Sequence, residues 1–159
     1  MKKALLAAAA LLVLGAATAG AADYKVLSPR EVIKQATPEE AKGLRFGYTS
    51  MDLSNPYFIE VARGMKERAD ELGIALTVHD GKSDAAAQIA ATENFIADKM
   101  NAIILAPIAP EAMVPIVEQA KAAGIRVINS PQRIPNADAW YSVAEFEYGK
   151  AIGDIAGKY

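Results

Sequence analysis

From Leu44 onward, short apolar runs alternate with amphipathic stretches, and little chain is left over for anything but tight connections. Residues 44–50, 74–80, 102–106, 125–130 and 139–143 have strand length and composition. Between them, residues 57–72, 84–99 and 110–123 have helical spacing, and a further helix begins near Phe146. In the first of these helices Phe58, Val61, Ala62, Met65, Ala69 and Leu72 recur three or four apart, which makes one apolar face. Asn55 stands where a cap is needed, with Pro56 at the first helical position; Gly73 and Gly124 follow helices, where left-handed caps are expected. Ala102-Ile103-Ile104-Leu105 is apolar without alternation, the pattern of a strand covered on both faces. Strands joined in turn by helices, with right-handed crossovers, give a parallel sheet with helices on both faces. The expected fold is a doubly wound α/β domain.

The segment before this pattern has a different character. Lys2 and Lys3 precede an apolar run over residues 4–14 and a small-residue tail over 17–22, in which Ala19-Gly20-Ala21 has the form of a cleavage site. Residues 1–22 read as a secretory signal peptide, since the run is too short to span a bilayer. Residues 23–43 read as a polar extension with two helix starts, Ser28-Pro29-Arg30-Glu31 and Thr37-Pro38-Glu39-Glu40. The chain has no cysteine, which excludes disulfides, thiolate metal sites and cysteine nucleophiles. Export without disulfides suits a bacterial periplasm. The formal charge is −2, and residues 1–22 contribute two lysines and no acid, so the remainder is more acidic still. Nucleic acid is not an expected partner, because no basic face is available.

In sheets of this kind ligands bind outside the carboxyl ends of the strands. The loop from Ser50 to Phe58 gathers the hydroxyl of Ser50, the carboxylate of Asp52, the amide of Asn55 and the rings of Tyr57 and Phe58 at a helix N-terminus. Planar polar groups beside rings suit a polyhydroxylated ligand. Tyr57 and Phe58 are adjacent and point in different directions, so at least one belongs to the core. Asp84 or Ser83 is expected to cap the second helix. Segments 79–84, 106–110 and 129–133 and the stretch after Val143 share the same edge. The glycine-rich phosphate and dinucleotide motifs and the G-x-S-x-G elbow are missing. With one histidine, His79, no zinc site is expected, and neither a cofactor nor catalysis is implied.

The segment Phe46-Gly47-Tyr48-Thr49-Ser50-Met51-Asp52-Leu53-Ser54-Asn55-Pro56-Tyr57-Phe58 resembles the opening strand and loop of the type I periplasmic sugar-binding proteins, the ribose- and galactose-binding group. The likeness continues through Gly64-Met65-Lys66, Glu71-Leu72-Gly73, Ala102 to Pro107, Ala122 to Ile128 and Gly149 to Asp154. It implies a substrate-binding protein of an ABC importer, in which two α/β lobes close on a sugar or polyol and deliver it to an inner-membrane permease. By the same resemblance Asn55 matches a sugar-bonding asparagine, Tyr57 and Phe58 an aromatic pair, and Ser50 and Asp52 lie near another polar contact. The sequence departs from the pattern where an Asp-Arg pair is usual: it has Asn129-Ser130-Pro131-Gln132-Arg133, from which Gln132 or Arg133 would reach in. Val143-Ala144-Glu145 stands in place of Ser-Asp-Asn, with Glu145 the remaining polar candidate. Such departures put a simple ribose or galactose specificity in doubt. The resemblance further implies that residues 44–143 form a first lobe and residues 144–159 cross into a missing second one. A periplasmic sensor serving a chemoreceptor or sensor kinase, and a small exported α/β enzyme, are the alternative readings.

Overall fold

The computed structural model describes residues 36–142 and 145–158. The expected signal peptide, the helix start at Ser28 and most of the polar extension lie outside the described residues. The second helix start is observed. Thr37 caps the single turn α1 (Pro38–Ala41) in a reciprocal box with Glu40, whose side chain accepts from the Thr37 backbone amide at 3.0 Å.

Five parallel strands follow: β1 (Arg45–Ser50), β2 (Ala75–Asp80), β3 (Ala102–Leu105), β4 (Arg126–Asn129) and β5 (Ala139–Trp140). Their order in the sheet is β2-β1-β3-β4-β5. The helices between them are α2 (Pro56–Leu72), α3 (Ala85–Ala97) and α4 (Pro110–Ala122), and α5 (Glu145–Ala156) comes last. The chain winds outward one way through β2 and the other way through β3 to β5, so the order reverses between β1 and β3. That is the switch point at which doubly wound sheets hold their ligands.

Local chemistry explains where the helices begin. The Asn55 carboxamide oxygen accepts from the Tyr57 backbone amide at 2.9 Å, and Pro56 opens α2. Asp84, rather than Ser83, caps α3, accepting from the amides of Ala86 and Ala87 at 2.8 and 3.2 Å. Gly73 and Gly124 take left-handed φ values of 70° and 78°, as their positions after α2 and α4 require. The last strand is shorter than the expected 139–143. Asp138 begins the pairing with β4 by side chain as well as backbone: its carboxylate accepts from the Val127 amide at 2.8 Å, and its own amide donates to Val127 at 2.9 Å. Only Ala139 and Trp140 then continue the ladder.

Each strand sends alternate side chains to opposite faces. Under α3 and α4 lie Ile103, Leu105, Met113, Ile116, Val117 and Val127, all 0–2% exposed. The other face carries α2, with Tyr48, Phe58 and Ala106 buried and Val61, Met65, Leu76 and Ile104 partly so. Gly47 is needed where β1 meets α3, because a Cβ there would stand 2.4 Å from the Phe95 ring.

Candidate ligand-binding site

The carboxyl edge of the sheet is assembled by hydrogen bonds among three loops. After β1, the chain turns through Asp52, whose carboxylate accepts from the Ser54 amide at 2.8 Å and from the Ser83 hydroxyl at 2.8 Å. These bonds, those from Ser54 foremost, hold the Asp52 carboxyl below its ordinary pKa. From the neighbouring strand, Asp80 accepts from the amides of Leu53 and Lys82 at 2.9 and 3.0 Å. Lys82 and Ser83 both have positive φ, 49° and 58°, a conformation costly for side-chain-bearing residues. That turn carries the Ser83 hydroxyl to Asp52 and the Ser83 amide to the Met51 carbonyl, at 2.9 Å.

Among the expected site residues, the structure separates exposed groups from buried ones. Asn55 is exposed at the loop tip, and the capping bond commits its oxygen to the helix, which turns the amide nitrogen outward with no hydrogen bond among the described residues. Tyr57 is 49% exposed and Phe58 8%, with the rings edge to face at 5.1 Å. Phe58 is therefore the core member of the pair, and Tyr57 is the exposed one. Ser50 is fully buried, and its hydroxyl has no partner among the described residues. The Tyr48 hydroxyl is likewise buried and outside hydrogen-bond geometry with any described group; burial raises its pKa, an effect the neighbouring Ser50 side chain partly offsets. A cavity of about 20 Å³, room for one water, lies among Tyr48, Tyr57, Phe58, Met65, Ile104 and Ser130-Pro131, so the loop after β4 does reach the aromatic pair.

The remaining expected residues do not line that cavity. Asn129 is buried beneath its own loop, its amide donating to the Gln132 carbonyl. Gln132 and Arg133 are exposed and do not line that cavity. Glu145 opens α5, and its side chain lies outside the described residues.

One residue central to this edge escaped the reading of the sequence. Gln88 is fully buried on α3, and its carboxamide bonds to backbone at the ends of β1 and β3. A polar residue on the apolar stripe Gln88, Ala91, Thr92, Phe95 was the available signal, since a buried carboxamide demands partners. Among the described residues no group of three His, Asp or Glu side chains is placed to hold a metal ion.

Residues 46–159 match the family described as the periplasmic binding protein domain. The chain belongs to this family. A D-ribose/D-allose-binding protein from Pseudomonas aeruginosa is 29% identical over 66% of this chain. The ribose import binding protein RbsB from Haemophilus influenzae is 34% identical over 65% of it. These matches cover 33% and 36% of the relatives, so the chain spans about a third of their length. Among solved structures, a periplasmic ribose ABC transporter protein from Conexibacter woesei superposes with a TM-score of 0.69 at 20% identity, over 75% of this chain and 41% of that one. This likeness confirms the α/β architecture expected from the alternating pattern and matches it to one lobe of a two-lobed periplasmic binding protein.

Proposed function

We propose that this protein is the substrate-binding component of an ABC importer, and that it holds a sugar or polyol at the carboxyl edge of the sheet. Residues 1–22 act as the export signal that takes it to the periplasm. The ligand is captured between this lobe, residues 44–143, and a second lobe into which residues 144–159 lead. Binding then shifts the population toward the closed form, which an inner-membrane permease receives. The protein binds and releases its ligand without chemical change.

The observation that carries this reading is the family match across 46–159, joined to relatives named for ribose and allose binding. The site's chemistry supports it. The outward amide of Asn55 can donate to a hydroxyl, and the exposed Tyr57 ring can cover the C–H face of a sugar. The exposure of Phe146, Tyr148, Ile152 and Ile155 on α5 supports placing that helix in a second lobe.

Calorimetric titration of the native protein with D-ribose, D-allose, D-xylose and myo-inositol tests the reading. At least one is expected to bind; heats of dilution alone for all four would overturn the sugar assignment. Asn55→Asp keeps the capping oxygen and removes the amide donor. It is expected to weaken binding by about tenfold, the worth of one hydrogen bond left unmade, while the melting temperature stays near that of the wild type. Unchanged affinity would remove Asn55 from the site.

A further inference from the structure

A buried side chain on α3 reaches the exits of both strands at the switch point. Gln88 is 0% exposed. Its Nε2 donates to the Ser50 carbonyl at 3.0 Å and to the Ala106 carbonyl at 2.7 Å, with the Thr49 hydroxyl at 3.4 Å. Its Oε1 accepts from the Ile108 amide at 2.9 Å. Ser50 ends β1, Ala106 follows β3, and Ile108 lies in the connection to α4. The Ser50 carbonyl also accepts from the Gly81 amide at 3.0 Å, which brings in the exit of β2. A Cβ at Gly81 would stand 2.4 Å from that carbonyl and 2.9 Å from Gln88 Cγ, so the three segments meet with no space to spare.

We propose that Gln88 is the positioning residue of the ligand-binding edge: its carboxamide sets the spacing of the loops after β1 and β3. This rests on the sugar-binding reading above. A carboxamide suits the task because it offers two donors and an acceptor in one rigid plane and carries no charge. Both donors go to carbonyls at the ends of adjacent strands, and the acceptor goes to the connection beyond. Ligand contacts are sensitive to displacements well under an ångström, so a fixed spacer beneath the loops acts on affinity without touching the ligand.

Gln88→Glu is the informative variant. As a carboxylate it keeps an acceptor for Ile108 and cannot donate to Ser50 or Ala106, whose carbonyls then face a negative charge. Burial raises a carboxyl pKa, so mild acidification returns a neutral group with one donor for one of the two carbonyls and removes the charge from both. Affinity for D-ribose, D-allose, D-xylose and myo-inositol is to be measured from about pH 8 to about pH 5 in wild type, Gln88→Glu and the remote core variant Ile116→Val. Gln88→Glu is expected to bind about tenfold more weakly at the alkaline end and to recover toward the wild type at the acid end. Ile116→Val is expected to bind like the wild type throughout. Wild-type affinity of Gln88→Glu at all pH values, or a loss that acid does not restore, overturns the proposal.

Amide hydrogen exchange supplies a readout independent of any ligand and of that variant's folding. In Gln88→Met the Ile108 amide is expected to lose protection while the Ile103 amide, in the body of β3, keeps it. Retained protection at Ile108 also overturns the proposal. If the wild type binds none of the four probes, the sugar reading fails, whereas the exchange experiment still decides whether Gln88 holds the loops.

Discussion

The two faces of the sheet are built from the same strands and finished very differently. Under α3 and α4, Ile103, Leu105, Val127 and their helical partners are sealed from water, and the loops above are tied by a buried, neutral carboxamide. On the α2 face, Val78 and Ile128 remain 37% and 36% exposed, Ile104 is only partly buried, and the loop above is tied by the partly exposed carboxylate of Asp52. A parallel sheet gains its stability by covering both faces. The contrast therefore separates the two sides: the α3–α4 side is sealed from water, and the α2 side leaves apolar surface exposed, the Tyr57 ring among it.

Neighbouring residues on β3 allow that division to be broken. Ile103 points to the sealed face and is 0% exposed. Ile103→Ala is expected to lower the unfolding free energy by about 2–5 kcal/mol, since a cavity there cannot collapse easily. Gly47→Ala comes next: its new methyl would collide with the Phe95 ring, and overpacking of this kind costs about 1–3 kcal/mol. Ile104 lies one residue along on the open face, beside the small cavity. Ile104→Ala is expected to cost about 1 kcal/mol, because only part of its surface leaves water on folding. Urea unfolding of the three variants checks the order. Equal losses for Ile103→Ala and Ile104→Ala would show that the open face is as well packed as the sealed one.

The same contrast explains what could be read from the sequence. Helix starts were legible because a cap is a local matter: Asn55-Pro56 and Asp84 lie within three residues of the amides they satisfy. Strand identity followed from apolar runs, but the end of β5 at Trp140 did not, and neither did the Asp138 bonds to Val127, eleven residues away, that precede the strand. The adjacency of Tyr57 and Phe58 showed that one must be core; which one depended on how α2 lies on the sheet. Gln88 stayed hidden because its partners are backbone groups 18 to 38 residues distant, and any residue type offers those. Ser83, 31 residues from Asp52, was concealed in the same way. The edge of the site was legible as a list of loops, and the bonds between those loops were not.

The two loop ties also differ in how they answer to acid, and this is the smallest effect expected. Gln88 has no proton to gain. Asp52 has its pKa depressed below the ordinary 3.8 by bonds from Ser54 and then Ser83. A carboxyl depressed in the folded state stabilises that state fully above its unfolded pKa, and the contribution fades as pH falls through the folded value. The tie therefore holds at neutral pH and loosens only below about pH 4. The carboxylate is solvent-accessible, so the gain is modest. Asp52→Asn is expected to melt slightly below the wild type at neutral pH, with the difference shrinking as pH drops below the unfolded carboxyl range. A difference that grows in acid would mean that the Asp52 carboxyl is bonded in its protonated form, leaving Asp80 as the charged tie between the loops after β1 and β2.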